Sequence, residues 1–486
     1  MYRKDDAKII IAMLALPLVL ATRFHSKWYE IILNEELIFS WGWGKMRLEI
    51  CIILILLVVG LLCGCTHIEE LKLYEEEKEG KMHVSTWIGY GWSTKSIEKD
   101  AVDEAISMME EGLQGKEPEY IILFLTVDYN VTMVVNEVLK HFPNAQLYGG
   151  TSCRAVLTKD GYISSENGAM AIMGICSENI TFGVGGAEIG EISAKEAGKL
   201  AITEAISNAG LTGKPDLILI TGSPGYEEEV LLGIEEIVGK DVPIFGGSAA
   251  DNTIEGKWKQ IANGKVYSNG VSVTAIFTDM KIGYAFESGY LVMENEGVIT
   301  NSSGRRIYEI DGRPAADVYN EWTSGKVFGE YANLTSGEII ILKDATFYPL
   351  AKKIQADNKT HYISIHPRSV NLSDRSISVF ANVNNGDMIQ QMHGTWEILL
   401  NRGQTTPAEA LKKGNIEKGE GVFGIYTFCA GTMLAIPDKE REKLPLMVYQ
   451  TTGIPFIGAF TFGEQGFIEG VGNVHENLAN SMVVIG

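Results

Sequence analysis

The chain has 486 residues, enough for two or three domains with their own cores, and its 45% apolar and 21% charged residues are those of a globular protein. Against 62 acidic residues stand 41 basic ones, a formal charge of −21 with no Lys/Arg cluster to offset it, which excludes a phosphate-backbone footprint and with it nucleic acid as a partner.

The first 84 residues differ in kind from the rest. Ile9 to Ala21 is apolar, short for a bilayer span, and interrupted by Pro17. A second apolar run, Ile50 to Leu62, follows Lys45 and Arg47 and ends in the small-residue stretch Cys63-Gly64-Cys65, the layout of an export signal. Leu62-Cys63-Gly64-Cys65 resembles the lipobox of prokaryotic lipoproteins, which implies lipidation of Cys65. An uncleaved membrane anchor ending in Cys is the alternative. Either reading puts the body outside the cytoplasm, at the cell membrane and facing outward. Residues 1–45 are then a mis-assigned start or an extra membrane segment, 46–65 the signal segment, and the charged stretch 66–84 a solvated tether.

The body holds Cys153, Cys176 and Cys429, an odd number without paired spacing, so neither a disulfide framework nor a metal site is expected, and no cofactor motif stands out. Six N-x-[ST] sequons, at Asn130, Asn179, Asn301, Asn333, Asn358 and Asn371, give slight support to a secreted body.

Taken in order, residues 92–112 predict an amphipathic helix whose Met108-Met109 pair packs into a core or a lipid face rather than holding a cofactor. "PEYIILFLT" (118–126) predicts a buried strand, "VTMVVNEVLKHF" (131–142) a helix, and "AQLYGGTSCR" (145–154) a short strand breaking at two glycines. The runs 168–175 and 180–186 predict two further strands that complete one unit. The order then recurs: "PDLILITGSPG" (215–225), a helix at 227–239, "VPIFGGSAAD" (242–251) and a strand pair within 270–286. A third copy ends the chain, with "GVFGIYTFCAGT" (421–432), "REKLPLMVYQTTG" (441–453), "IPFIGAFTFGE" (454–464) and "LANSMVVIG" (478–486). The expected fold is therefore α/β, built from repeated α/β units with mixed sheets in two packed domains, 85–287 and 288–486.

Units of this size bury their apolar faces only by packing on one another, and where equivalent strand ends meet, their loops form a common cleft. Glycine pairs at that point have two readings: backbone nests whose N–H groups face an anion, or tight turns that let layers approach.

The phrases "YGGTSCR", "FGGSAADN", "EIDGRPAADVYNEW" (309–322), "YTFCAGT" (426–432) and "PFIGAFTFGEQG…HEN" (455–477) resemble, in that order, the FIST family of prokaryotic signal-transduction sensors, over roughly residues 85–486. The resemblance implies a FIST N-like and a FIST C-like domain that sense a small ligand, an amino acid or related carboxylate, and hand the signal to a separate membrane partner. On the matching positions it implies N–H donors at Gly149, Gly150, Gly246 and Gly247, with hydroxyls from Thr151, Ser152 and Ser248. Asp251 and Glu464 are acceptors suited to an ammonium group, and His475 and Asn477 share one face of a strand. Arg313 is a weaker carboxylate partner, and Pro314 starts the helix that follows it.

Two other function classes stay open. Cys429 with His475 as base, oriented by Asn477 or Glu464, would make a cysteine-dependent enzyme, although Cys429 equally suits a small buried position. The body would alternatively be a structural envelope lipoprotein without a ligand. His361 and His366, five apart, fall on opposite faces of a strand and do not suggest a shared metal.

Overall fold

A computed structural model of the protein describes residues 86–486; the lipobox-like segment, the tether and the other readings of the first 84 residues lie outside the described part. Among the described residues no helix is long and apolar enough to cross a membrane.

The run at 118–126 forms the strand Tyr120–Leu125, buried along its whole length. Its alternate side chains enter two different cores. Tyr120, Ile122 and Phe124 point inward to meet Leu219, Phe245 and Ile425 from other units. Ile121, Leu123 and Leu125 point outward under the helices Glu98–Leu113 and Val131–His141. A strand covered on both faces must be apolar at every position, and its sequence therefore lacks alternation. The predicted amphipathic helix starts at Glu98, with Met109 fully buried and Met108 half-buried beside it.

The same path occurs three times: strand, helix, strand, helix, strand, hairpin, strand. The central parallel pairs are Tyr120–Leu125 with Gln146–Thr151, Leu217–Gly222 with Ile244–Ser248, and Phe423–Cys429 with Phe456–Thr461. One expectation needs correction. The strand Ile180–Glu188 does not close the first unit but opens the second, pairing with Gly270–Thr278, and Ile282–Glu287 likewise opens the third by pairing with Asn480–Ile485. Apolar runs separated by two or three residues look like one hairpin in sequence, but here the short connections carry the chain from one sheet to the next.

The hairpin of each unit leaves its own sheet. Gln260–Ala262, from the second unit, pairs with Gln146–Thr151 of the first; Glu464–Ile468, from the third, pairs with Ile244–Ser248 of the second; and Val156–Thr158, from the first, pairs with Phe456–Thr461 of the third. The exchange is cyclic and closes three sheets into a ring. Three backbone hydrogen bonds repeat this cycle just past the strands: Ala250 N–H to Thr151 O (2.8 Å), Phe462 N–H to Ser248 O (2.9 Å) and Cys153 N–H to Phe460 O (3.0 Å). The ring interior is filled with side chains, leaving a void of only about 10 Å³ beside Thr221, Thr427 and Thr461.

Between Glu287 and the helix Trp396–Gly414 the third unit carries an insertion. Residues 291–393 form a nine-stranded sheet with a core of its own, centred on Ile299, Ile307, Val370, Ile377 and Ile389. Within it the sequence predicts only the helix Ala315–Trp322 and a strand through His361, observed as Lys359–Ile365.

At Gly247 the close packing of the ring is most exposed to test. A Cβ added there would lie 2.6 Å from Cβ and 2.7 Å from Cγ2 of Thr461, in the neighbouring unit, and only the second atom is absent from serine. Gly247→Ala is expected to destabilise the protein by about 1–3 kcal/mol, the usual cost of overpacking. Thr461→Ser in the same chain should recover part of that loss. Equilibrium denaturation of the two single variants and the double variant measures the coupling, and strictly additive effects would separate Gly247 from Thr461.

Candidate functional site

Parallel strands of the three units end on one side of the ring, so the segments that follow them converge there. A cavity of about 650 Å³ lies at this convergence, floored by the ring and roofed by the inserted sheet. The first unit contributes Cys153 and Arg154, immediately after the glycine phrase. From the second come Glu227, at the start of the helix Glu227–Val238, and the loop bearing Asn252, Thr253, Ile254 and Trp258. The third gives Cys429, Gly431, Phe462 and Gly463, while Arg305, Lys343, Thr346, His366, Arg368 and Phe380 descend from the insertion.

Of the residues singled out in the sequence, Cys429 and Asn477 line this cavity. The glycine pairs do not. Gly149 and Gly150 are paired on both sides within the first sheet, opposite Leu123 and Phe124 on one strand and Ile261 and Gln260 on the other. Gly246 and Gly247 are equally enclosed between Leu217–Gly222 and Glu464–Ile468. A Cβ at Gly149 would fall 1.8 Å from Leu123 O, and one at Gly246 1.9 Å from Ile220 O. Close approach of neighbouring strands, rather than a nest, accounts for these glycines.

The hydroxyls and acids beside them are occupied within the fold. Thr151 Oγ1 accepts from Lys259 N–H at 2.9 Å, Ser152 Oγ from Phe460 N–H at 2.8 Å, and Ser248 Oγ donates to Glu227 at 3.0 Å. Asp251, fully buried, takes the N–H groups of Thr253 (3.0 Å), Ile254, Glu255 (2.9 Å) and Lys257 (2.9 Å). Four donors leave this carboxylate no room for an ammonium group. It moulds the loop that carries Ile254 and Trp258 to the cavity wall. Arg313 pairs with Glu321 at 2.6 Å, away from the cavity.

Glu464 lies one layer beneath the floor. Its carboxyl accepts from the Thr461 hydroxyl at 2.7 Å and from Ala479 N–H at 3.0 Å. Burial outweighs these bonds and pushes it up to about 8; Glu476, buried nearby, is pushed up to about 7 for the same reason. Near neutral pH, Glu464 is thus largely the uncharged acid.

His475 contacts Gln465 through Nδ1 (3.3 Å) and approaches Phe380 O and Asn477 through Nε2 (3.3 and 3.2 Å). Asn477 Oδ1 in turn accepts from His366 N–H at 3.1 Å. The imidazole that reaches the cavity is that of His366. Its Nε2 lies 2.9 Å from Leu342 O, and burial holds it down at about 4, so it is neutral. Burial also pushes the Cys429 thiol up to about 12, with the neighbouring Glu464 adding to the effect. A protonated thiol and a neutral imidazole lining one cavity are poorly prepared for nucleophilic attack.

Sequence reasoning passed over Trp258, Lys343, His366, Arg368 and Phe380. In the sequence His366 stands out only as one of a histidine pair with His361, and no local pattern says that a strand end of the insertion hangs over the ring.

Two family profiles match the chain: FIST N domain over residues 119–313 and FIST C domain over residues 315–467. An uncharacterized protein of Methanocaldococcus jannaschii is 30% identical over 100 residues, which is 20% of this chain, and the chain spans 19% of that relative's length. Among solved structures, a cyanuric acid hydrolase from A. caulinodans aligns over 82% of this chain and 99% of its own at 8% identity, with a TM-score of 0.34. PurLQS from Thermotoga maritima aligns over 82% of this chain and 72% of its own at 10% identity, with a TM-score of 0.20. The boundary between the two profiles falls inside the inserted sheet, so Arg305 belongs to one and Lys343 to the other.

The raised carboxyl of Glu464 predicts a pH dependence. Between the ordinary glutamate value of about 4.5 and about 8 the folded chain keeps a proton that the unfolded chain has released, so its contribution is complete below about 4.5 and is lost as pH rises through about 8. Glu464→Gln should flatten the fall of unfolding free energy measured by denaturant titration from pH 5 to 8. A slope equal to that of the parent would remove Glu464 as its source.

Proposed function

Because the chain belongs to the FIST family, whose domains are sensory domains of signal transduction, we propose that it is a small-ligand sensor and that the ligand occupies the cavity between the ring and the inserted sheet. The observation that carries this reading is the convergence of loops from all three units on one cavity of about 650 Å³, a size typical of small-molecule sites. Residues from the FIST N stretch (Arg154, Glu227, Trp258) and from the FIST C stretch (His366, Cys429, Phe462) face the same space. A ligand touching both stabilises one arrangement of roof and floor over others, and such differential contact is what a sensor transmits.

The lipobox-like Leu62–Cys65 supports attachment of the sensor to the outer face of the cell membrane through Cys65, with a separate membrane protein as the recipient of the signal. The raised thiol of Cys429 and the engagement of His475 with Gln465 and Asn477 weigh against the cysteine-enzyme alternative.

Melting curves of the full chain against a metabolite panel test the proposal. A ligand at a hundred times its dissociation constant should stabilise the fold by about 2.7 kcal/mol. Ala435→Trp, which places an indole into the cavity, should abolish that shift; a shift that survives would move the ligand elsewhere. In cells, Cys65→Ser should release the protein from the membrane fraction and eliminate incorporation of labelled fatty acid. Labelling unchanged by the substitution would sink the anchor assignment.

A further inference from the structure

The cavity gathers several basic side chains that have no acidic partner among the described residues. Acidic residues outnumber basic ones, 62 to 41, so a lysine or arginine generally has a carboxylate available to it. Arg305 follows that rule, with Nη2 2.6 Å from both Glu227 and Glu228. Arg154, Lys343 and Arg368 do not: among the described residues none of the three lies within 4.0 Å of a carboxylate, yet all three line this one cavity. Arg154 is fixed by the loop, its N–H donating to Asn252 Oδ1 at 2.8 Å. Lys343 and Arg368 are neighbours on the roof, where Ile341 N–H donates to Arg368 O at 2.9 Å.

The walls between these cations are aromatic. Trp258 and Phe462 meet edge to face with ring centroids 6.2 Å apart, and Phe380, which comes from the insertion, sits against His366 at 5.8 Å. Offset and edge-on faces of this kind receive a flat conjugated ring, and a guanidinium or ammonium at the mouth receives an acidic group. The volume is more than a free amino acid fills, and the ammonium acceptor such a ligand would need is missing: Asp251 is saturated by backbone and Glu227 is taken by Arg305.

We infer that the ligand is an anion built on a conjugated ring system, with its ring held between the Trp258–Phe462 wall and Phe380 and its acidic groups met by Arg368 and Lys343 on the roof and by Arg154 on the floor. This deepens the sensor reading above and rests on it. The two roof cations come from exposed positions of the insertion, so the acidic group ties roof to floor as it binds.

Isothermal titration of the full chain with four probes tests the inference: naphthalene-2,6-dicarboxylate, which has ring and charge; adipate, which has charge alone; naphthalene-2,6-dimethanol, which has the ring alone; and free amino acids. The ring dicarboxylate should bind at least tenfold more tightly than any of the others, and its affinity should fall with added salt. The double variant R368Q/K343Q, at exposed positions that the fold does not need, should weaken it at least tenfold, and Trp258→Leu should weaken it as well. Equal binding of adipate or of the diol, or an unchanged affinity in R368Q/K343Q, overturns the inference. A neutral or ringless ligand from the melting panel whose shift Ala435→Trp abolishes overturns the ligand class while leaving the sensor standing. Absence of any shift and any titration heat removes both.

Discussion

The cyclic exchange of hairpins is the constraint on which the rest of the molecule depends. No unit of this chain completes a sheet alone, because the far edge of each parallel pair is covered by a hairpin from the next unit. An uncovered strand edge exposes unpaired N–H and C=O groups, and closure into a ring satisfies them without a partner chain. The three bonds from Ala250, Phe462 and Cys153 to the carbonyls of Thr151, Ser248 and Phe460 lie where the strands end, so the same geometry that closes the ring sets the positions of the residues just beyond it. Arg154, Asn252 and Gly463 are all within two residues of those bonds. A cavity floor built this way inherits the rigidity of the ring.

The roof is held differently. Arg305 of the insertion reaches Glu227 and Glu228 at the start of a ring helix, and Asn382 N–H donates to Glu228 at 2.7 Å. Glu227 is itself fixed from the ring by Gly225 N–H and the Ser248 hydroxyl, both at 3.0 Å. The link between insertion and ring at this wall is therefore charged and hydrogen-bonded. Most of the insertion's apolar core is its own, while Ala351 and Met392 pack with Leu399 and Phe428 of the third unit.

Much of the ring was legible in sequence because its signals are local and repeated. Continuous apolar runs such as "YIILFL" mark strands buried on both faces, and three copies of strand, helix and glycine-bearing strand gave the unit. What a run cannot state is which sheet it joins. Ile180–Glu188 and Ile282–Glu287 follow the preceding unit so closely in sequence that they read as part of it, and the exchange of hairpins leaves no local trace. The candidate site was legible in location and mostly not in identity: the phrase ends do converge, but the glycines, Thr151, Ser152, Ser248 and Asp251 are spent on backbone and packing. The residues facing the cavity stand one to a few places further along, as Arg154 follows "GGTSC", or in an insertion whose docking no periodicity encodes.

That shift of a few residues has a physical reason. Where parallel strands pack around a filled interior, the last paired residue must satisfy its backbone within the sheet and keep its side chain small enough for the neighbouring unit, as Gly247 does against Thr461. Polar side chains at such positions are consumed by closure. Only past the final ladder bond does the chain have freedom to point a side chain at a guest. A threefold ring on its own offers three similar loop ends and little means of distinguishing one ligand from another. The insertion between Glu287 and Trp396 occurs in one unit alone, and by adding Lys343, His366, Arg368 and Phe380 on one side it converts a near-symmetric rim into a cavity with a direction.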